Sequence, residues 1–510
     1  MSDSSSSSRS SREKFVVGIE IGSSRAKIGI AGFDPDDNSH TLTVYNSASL
    51  PTVDSVRYGR IKNIRDVNNI IEELVEAVQK KAPIENRVIT GVYLNIGGQS
   101  LKSHKINANI VLPDRREITE DLIERLREEA LRNLSKTDEL ISLEATAYKV
   151  DSVETPRPVG EKGSRLSGTF TAVTCRRANK SDLVDIIADR VGLHIIDVFA
   201  RPIALAHLVL SPQETNAGCM LVDFGAETIT VSIYKHYGLQ YLCTIPLGSR
   251  LFTRDLATEL ALTEDDAEIL KITMADAMPE KDNSDSNQQA HEAVNNIILA
   301  RMADIIANIA IQPQYAGISE IELPMGIVLT GGGAKMKNFA RLLKAHTHMK
   351  VRLATLPSDI LIDDLDMSAT DNLDLIALLY EAAEHARMFP DEICVSATQT
   401  ETTPVEETSQ TEGGFVIDGH QDADSEKQKE IDDKLVNSGY NPNDFRNEDD
   451  YAIGHSEEST DDKKPDHEVD EDGPKKTNGG PKFPKIRIDK ILDKIAAYIS
   501  RPDDDDSDEM

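Results

Sequence analysis

Cysteine is scarce in this chain, and its four residues stand far apart. Cys175, Cys219, Cys243 and Cys394 form no C-x-x-C pair. This spacing excludes a zinc ribbon and gives no disulfide framework. We expect four free thiols in a reducing compartment.

Long apolar runs are also missing from the sequence. Residues 1–13 form a polar tail rich in Ser and Arg, without the apolar core of a secretory leader. Elsewhere, no stretch reaches the roughly 20 apolar residues that a membrane-spanning helix needs. We therefore expect a protein that is soluble or bound to a membrane surface.

Positive charge is in deficit. The chain has 56 Lys and Arg against 88 Asp and Glu, a formal net charge of -32. This balance excludes nucleic-acid binding by the surface as a whole, because a phosphate backbone needs a basic face. Residues 391–480 alone hold 26 acidic against 8 basic residues with little apolar periodicity. They are predicted to form a disordered, self-repelling linker.

The remaining chain alternates strand-like and helix-like segments, the pattern of a mixed α/β protein. Two β-rich runs, 15–21 and 25–33, are joined by a small polar turn. About two hundred residues later, 219–223 and 228–234 repeat the arrangement around a glycine-containing turn. Two similar hairpins indicate two similar halves.

A third glycine signal follows the strand-like run 326–330. Gly331, Gly332 and Gly333 come next, and then a predicted helix over 335–346. Backbone N–H groups in such a loop can bind an anion. Each of the three signals taken singly is also typical of a structural turn, so their order and spacing carry the interpretation.

That order resembles the phosphate-1, phosphate-2 and adenosine motifs of the actin superfamily, which includes actin, sugar kinases and chaperone ATPases. In that superfamily the two hairpins clamp phosphates from opposite sides of a cleft. Small turn residues let the backbone approach phosphate oxygens, and one carboxylate per hairpin serves Mg²⁺ and its waters. The resemblance gives those two positions to Glu20 and Asp223.

Within the superfamily, residues 14–390 are most similar to the bacterial cell-division family FtsA. The matching runs, in order, are VVGIEIGSSRAKIGI, RYGRIKNIRDV, GVYLNIGGQSLKSH, YKVDSV, LSGTFTAVTCRRANKSDLVDIIADRVGLHIIDVFARPIALA, GCMLVDFGAETITVSIY, PLGSRLFTRDLA, EDDAEILK and GIVLTGGGAKMKNFARLL. The third, fourth and fifth runs resemble the family's extra subdomain, which actin lacks at this place, and its return to the core.

The resemblance implies an α/β, actin-like (ribonuclease H-like) two-lobed fold with an FtsA-type inserted subdomain. The expected divisions are a tail (1–13), a first-lobe core (14–83 and 167–205), the insert (84–166), a second-lobe core (206–250 and 324–390), an outer subdomain (251–323), the acidic linker (391–480), an amphipathic helix (481–502) and an acidic tail (503–510).

The resemblance also implies an ATP site with Mg²⁺ on Glu20 and Asp223. The expected nucleotide-binding residues are Gly22, Ser23, Ser24, Arg25, Asp223, Gly225, Ala226, Glu227, Thr228, Gly248, Asp255, Gly331, Gly332 and Gly333. Of these, Gly248 and Asp255 are expected near the nucleotide sugar; a surface helix acid is the alternative for Asp255.

The sequence departs from the superfamily pattern at three positions. Glu20 stands where Asp is usual, and Ala226 and Glu227 replace glycines of the second turn. A carboxylate beside a phosphate site opposes binding unless a metal or an amide offsets it. We therefore expect ATP binding with at most slow hydrolysis, the alternative being a hairpin that no longer binds ATP.

The resemblance further implies that Arg301 meets the acidic tail peptide of FtsZ, the tubulin-like division protein. A solvated helical arginine is the alternative. Other expected partners are a second copy of the chain in a filament, anionic lipid and further division proteins. The expected location is the cytoplasmic face of the inner membrane at the division site.

The last apolar segment has the periodicity of an amphipathic helix. Ile488, Ile491, Leu492, Ile495 and Ile499 fall on one stripe, and the basic residues beside it include Lys490 and Lys494. A basic amphipathic helix is typical of interfacial membrane binding. The alternative is a helix that docks on the body or on a partner.

Two other functions share this fold. A small-molecule kinase would need a further catalytic acid and a substrate-binding insert, and it has little use for an acidic linker that ends in an amphipathic helix. A pilus-assembly adaptor lacks a membrane helix of this kind. The linker and helix therefore favour a membrane-tethered scaffold.

Overall fold

The computed structural model describes residues 13–397, apart from 38–39, 82–83, 85–86, 133, 135–137, 156, 280–287 and 365. Four predicted segments lie wholly or mostly outside the described residues: residues 1–12 of the predicted tail 1–13, most of the acidic linker, the amphipathic helix 481–502 and the acidic tail 503–510.

The described strands, in chain order, are β1 (Lys14–Ile21), β2 (Arg25–Phe33), β3 (Leu42–Pro51), β4 (Val56–Arg57), β5 (Arg60–Ile61), β6 (Arg87–Ile89), β7 (Gly91–Ile96), β8 (Lys102–Glu117), β9 (Asp138–Val150), β10 (Val153–Thr155), β11 (Lys162–Arg176), β12 (His194–Ala200), β13 (Cys219–Phe224), β14 (Ile229–Lys235), β15 (Gly238–Ile245), β16 (Gly326–Thr330), β17 (Val351–Leu353), β18 (Ile360–Ile362) and β19 (Val395–Ala397).

The described α-helices are α1 (Ile64–Gln79), α2 (Glu120–Leu131), α3 (Arg177–Val184), α4 (Arg201–Val209), α5 (Pro212–Ala217), α6 (Arg250–Glu259), α7 (Glu264–Met274), α8 (Gln288–Ala310), α9 (Gln312–Tyr315), α10 (Phe339–Thr347) and α11 (Leu373–Met388). A π-helical stretch, Asp185–Arg190, continues α3, and a 3₁₀ turn, Gly332–Lys335, precedes α10.

The first lobe is built on a six-stranded sheet with the order β12-β7-β1-β2-β3-β18. Its central hairpin is almost wholly buried, because apolar residues fill both faces of β1 and β2. Helices α1 and α11 pack against it. Gly18 and Gly29 admit α11 closely, since a Cβ at either position would lie 2.9 Å from a leucine of that helix.

The second lobe and the insert share a nine-stranded sheet with the order β10-β9-β11-β8-β15-β14-β13-β16-β17. The insert contributes β8 to β11. It meets the second lobe where β8 pairs with β15 at Lys102 and Cys243, and where the Ser103 hydroxyl donates to the Leu242 carbonyl and accepts from the Leu242 N–H. A separate apolar core, which includes Leu126 and Phe170, lies between α2 and the insert strands. The insert is therefore a lobe with its own core.

Helix α8 runs through the outer part of the second lobe. By length and composition, the stretch Gln288–Tyr315 is apolar enough to cross a membrane. Its buried face, with Ile298, Met302 and Ile305, instead packs into the core beside α6 and α7. Buried helices in the cores of globular proteins often have this length and apolar character, and the packing of α8 makes it a core helix.

Three boundaries differ from the predicted ones. Strand β7 falls within the predicted insert, 84–166, but pairs with β1 and β12 of the first sheet. Strand β18 and helix α11 fall within the predicted second-lobe core but join the first lobe, where β18 pairs with β3. Residues 391–397, predicted as linker, include β19, which pairs with β6. Strand and helix patterns do not specify which sheet an element joins.

Candidate nucleotide site

A cavity of about 680 Å³ lies between the two lobes, where the two predicted hairpins and the glycine loop meet. The predicted residues that line it are Glu20, Gly22, Ser23, Ser24, Arg25, Asp223, Gly225, Ala226, Glu227, Thr228, Gly331, Gly332 and Gly333. The fold thus brings together residues that are more than three hundred positions apart in the chain.

The two hairpin turns have the same backbone geometry. The N–H of Gly22 donates to the carbonyl of Arg25 at 3.0 Å, and the N–H of Gly225 donates to that of Thr228 at 2.9 Å. In each turn this hydrogen bond encloses two residues, Ser23-Ser24 in the first and Ala226-Glu227 in the second. A further hydrogen bond fixes the first turn, because the Thr52 hydroxyl donates to the Gly22 carbonyl at 2.6 Å.

The glycine loop lies directly against the second hairpin. Gly331 has φ +89°, and a Cβ there would lie 2.4 Å from the Phe224 carbonyl oxygen. A Cβ on Gly333 would lie 2.6 Å from the Phe224 ring. Both positions therefore require glycine: Gly331 because of the Phe224 backbone, and Gly333 because of the Phe224 ring. The helix predicted from 335 begins later, at Phe339, because the 3₁₀ turn of the loop comes first.

Glu227 was predicted to oppose phosphate binding, but in the structure donor groups around it offset its negative charge. Its side chain is 1% exposed, and Oε2 accepts the Tyr58 backbone N–H at 2.8 Å. Its Oε1 accepts from Arg254 at 2.8 Å and lies 3.9 Å from Arg57 and from Arg250. An amide and three guanidinium groups offset the carboxylate, and the contact joins first-lobe residues 57–58 to the second hairpin.

Two predicted sugar contacts do not line the cavity. A Cβ on Gly248 would lie 2.1 Å from the Ala226 carbonyl oxygen, so this glycine packs behind the second turn. The Asp255 carboxylate instead accepts two hydrogen bonds from Arg301, at 2.9 and 3.2 Å. Asp255 was predicted to contact the nucleotide sugar and Arg301 to contact FtsZ. They form an ion pair with each other, because Asp255 of α6 faces α8.

Charged groups that sequence reasoning missed lie at the base of the cavity: Lys27, Arg201 and Asp374. Lys27 donates to both Asp374 oxygens, at 2.7 and 2.9 Å. The Arg201 guanidinium contacts Glu20 Oε1 at 3.4 Å and Asp223 Oδ2 at 3.1 Å. In the sequence, the position of Lys27 among the apolar residues of β2 could have indicated a buried charged cluster.

The cluster shifts the titration of its members. Burial, reinforced by the Asp374 carboxylate, raises the pKa of Glu20 to about 8. Burial also raises the pKa of Asp223, although Arg201 opposes the rise. For Asp374, Lys27 overcomes the effect of burial and lowers the pKa below its ordinary value.

The predicted Mg²⁺ site does not fit this arrangement. Mg²⁺ needs oxygen ligands at about 2.0–2.1 Å in nearly octahedral geometry. Glu20 and Asp223 direct their oxygens to two different nitrogens of the Arg201 guanidinium. A metal ion held directly by both carboxylates would have to displace that side chain.

Comparisons with known proteins agree with this architecture. A family model described as "Cell division protein FtsA" matches residues 220–368, and one described as "SHS2 domain inserted in FTSA" matches 98–174. The chain is 28% identical over 389 residues to cell division protein FtsA of Porphyromonas gingivalis, covering 72% of this chain and 78% of that one. It is 26% identical over 354 residues to FtsA of Pseudomonas aeruginosa, covering 67% and 82%.

A solved structure of a PilM-PilN type IV pilus biogenesis complex is similar in fold. It has a TM-score of 0.52 at 16% identity and covers 74% of this chain and 98% of that one. Two lobes around a cleft, with hairpins that face each other, define an actin-like protein. With both FtsA-specific models matched, the chain belongs to the FtsA cell-division family. The predicted family and fold are confirmed.

Proposed function

We propose that this chain is an ATP-binding division protein that tethers FtsZ polymers to the cytoplasmic face of the inner membrane. It assembles with further copies of itself and recruits later division proteins. The observation that carries the proposal is the pair of two-residue hairpin turns that line one cavity together with the glycine loop.

The cavity suits a nucleotide in size and lining. Its volume, about 680 Å³, falls within the range of about 300–1,000 Å³ of small-molecule sites. Small turn residues line it, together with the cationic side chains of Arg25, Lys271 and Lys335. Backbone amides and cations are the groups that bind phosphates. Mg²⁺ stays a prediction outside this proposal, because Arg201 spans its two proposed ligands.

Hydrolysis is proposed to be slow. The carboxylates at the base of the cleft are committed to Lys27 and Arg201. A base that activates water must be within hydrogen-bond reach of it and able to accept its proton. Turnover faster than about one per second would contradict this, since typical enzymes turn over at about 1–1,000 per second.

Gly332 offers a direct test of the ATP site. It lines the cavity, and a Cβ built on it meets no atom within 4 Å. We expect Gly332→Ala and Gly332→Val in the full chain to weaken ATP binding progressively, with Val costing about tenfold or more, roughly 1.4 kcal/mol. Isothermal titration calorimetry measures the affinity.

A methyl group placed elsewhere is the matched control. Gly238 begins β15 outside the cavity, and its nearest neighbours lie 3.8 Å from a Cβ. Gly238→Ala should leave ATP affinity unchanged. If Gly332→Val binds ATP as tightly as the natural chain, the cavity is not the nucleotide site.

Membrane attachment is proposed to come from the predicted helix 481–502. Its stripe of Ile488, Ile491, Leu492, Ile495 and Ile499 supplies apolar area, and its basic residues, Lys490 and Lys494 among them, face anionic lipid. A linker of about 90 residues would span roughly 50 Å root-mean-square as a flexible chain, and repulsion between its charges would extend it. The folded body would thus reach a polymer some distance from the membrane.

Contact with FtsZ is proposed to centre on Arg301. The guanidinium is one-third exposed and is held by Asp255, with Asp304 3.7 Å away. An acidic peptide would compete with these two carboxylates for the same guanidinium. Exchange of one carboxylate for another costs little where both sit at the surface, because exposed ion pairs contribute only about 0–1 kcal/mol.

A further inference from the structure

Arg201 occupies an unusual place at the base of the cleft. It is the first residue of α4, directly after β12, and its side chain is 14% exposed. The guanidinium lies against Gly97, where a Cβ would be 3.1 Å from its central carbon. Its Nε atom is buried and has no hydrogen-bond partner among the described residues.

Arg201 contacts one carboxylate from each phosphate hairpin. Each carboxylate belongs to the penultimate residue of the hairpin's first strand. Glu20 lies two residues before Gly22, and Asp223 lies two residues before Gly225. Arg201 reaches one with each terminal nitrogen, at 3.4 and 3.1 Å. The guanidinium is therefore the group that links the two hairpins across the cleft.

The other buried cation of the cluster is already committed. Lys27 donates to Asp374 at 2.7 and 2.9 Å and lies 3.8 Å from Glu20. Arg201 therefore supplies the positive charge that faces Asp223 directly. A permanent charge in this position has the sign of a divalent ion and lies between the same two carboxylates.

We propose that Arg201 takes the place of the divalent cation in this cleft, so that ATP binds with little dependence on Mg²⁺. The inference rests on the proposed function. The guanidinium carries five N–H donors and lines the cavity, and it lies between the carboxylates of the two phosphate hairpins, where it can face phosphate oxygens. Arginine suits this role because it stays charged when buried and its planar fork matches phosphate oxygens.

The test compares ATP binding to the full chain in excess EDTA and in millimolar MgCl₂. Calorimetry provides the affinity in both buffers. We expect the two dissociation constants to agree within about threefold, a difference of roughly 0.7 kcal/mol. This measurement uses the natural chain, so it does not depend on whether a variant folds.

The outcomes separate the two proposals. Binding in both buffers with dissociation constants within about threefold supports the inference, and a much weaker affinity in EDTA overturns it. Binding in MgCl₂ alone overturns it and leaves the ATP site standing. Absence of binding in both buffers overturns the proposed ATP site and the inference with it.

Substitution of Arg201 provides a second readout. Arg201→Gln removes the charge, so ATP affinity in EDTA should fall about tenfold or more and recover at least in part when MgCl₂ is added. Arg201→Lys keeps a charge but loses the fork, and it should give an intermediate affinity. Equal losses in EDTA and MgCl₂ would mean that Arg201 only supports the local structure, and that result would overturn the inference.

Discussion

Glu227 illustrates how single residues decide whether the cleft is compatible with a nucleotide. Read from the sequence, its carboxylate opposes phosphate binding. In the fold it is buried and bound by the Tyr58 amide and Arg254, with two more arginines nearby. Its role is to connect first-lobe residues to the second hairpin.

Removal of this carboxylate should destabilise the protein. Glu227→Ala leaves Arg254 without its buried partner and the Tyr58 N–H without its acceptor. Breaking a buried, hydrogen-bonded ion pair costs about 3–5 kcal/mol. Chemical denaturation of the full chain should register a loss in that range.

An exposed glutamate is the control. Glu76 pairs with Lys80 one helical turn away, and both side chains are more than 70% exposed. Glu76→Gln should change the free energy of unfolding by no more than about 0.5 kcal/mol. Equal effects of the two substitutions would show that Glu227 contributes no buried contact.

At the residue scale, the sequence predicted the groups that are set by local motifs and missed those set by tertiary contact. The turns at 22–25 and 225–228 line the cavity because a hairpin fixes its own turn. Arg201 and Asp374 lie 181 and 354 positions from Glu20, and no local pattern connects them. Asp255 faces Arg301 instead of the cleft because side-chain direction depends on how α6 packs against α8.

At the scale of elements, helix α5 shows how a short helix is capped at its N-terminus and anchored to a strand. Ser211 and Glu214 form a capping box at its N-terminus. The Glu214 carboxylate also accepts from Arg352 of β17 through Nε and a terminal nitrogen, both at 2.7 Å. The hydrogen bonds from Arg352 lower the pKa of Glu214 to about 2.

This shift predicts a pH dependence of stability. A carboxyl whose pKa is lower in the folded state stabilises the fold above its unfolded value, near 4.5, and loses that effect as the pH falls toward 2. Glu214→Gln should cost about 2 kcal/mol at pH 7, the scale of hydrogen bonds to a charged group. The difference from the natural chain should shrink as the pH falls from about 5 to about 2.

Paired denaturation curves of the two proteins across that range provide the measurement. Subtracting one from the other removes the contribution of the remaining carboxyl groups. A difference that stays constant over the whole range would contradict the assignment of the shift to Glu214.

Element type was more predictable than sheet membership. The two hairpins and the strand β16 were predicted from their β-rich runs and turn residues. Strands β18 and β19 have only three residues each, and they and β7 pair with strands far away in the chain, so the sequence could not assign them to a sheet. Their pairing depends on the core that α11 completes beneath β1 and β2.

At the scale of the whole molecule, the insert has its own core, and we expect that it can be removed without loss of the two lobes. Strands β8 and β11 pair antiparallel, with Ser103 opposite Val173. Residues 104–172 can therefore be replaced by an Asn-Gly turn, the pair that suits a two-residue hairpin. The insert's separate core leaves with it, so the two lobes keep their own.

We expect this shortened chain to bind ATP but to form no filaments on lipid monolayers. A head-to-tail contact uses two different surfaces of each subunit, and we propose that the insert supplies the surface that meets the next subunit. Negative-stain electron microscopy compares the two proteins. Filaments of unchanged appearance would refute a role of the insert in assembly.

The tether itself is tested by vesicle flotation with FtsZ polymers and anionic lipid. Ile491→Glu with Ile495→Glu places two anions on the apolar stripe, and Ala497→Glu with Ser500→Glu places two on the opposite face as a charge-matched control. Arg301→Ala removes the proposed FtsZ contact without altering the predicted amphipathic helix 481–502.

Recovery of FtsZ in the floating fraction is the decisive quantity. We predict that FtsZ floats with the natural chain and with the Ala497→Glu, Ser500→Glu control. With Ile491→Glu, Ile495→Glu neither protein should float, and with Arg301→Ala the chain should float while FtsZ stays in solution. Equal recovery of FtsZ with the stripe variant and with the natural chain would contradict the proposed tether.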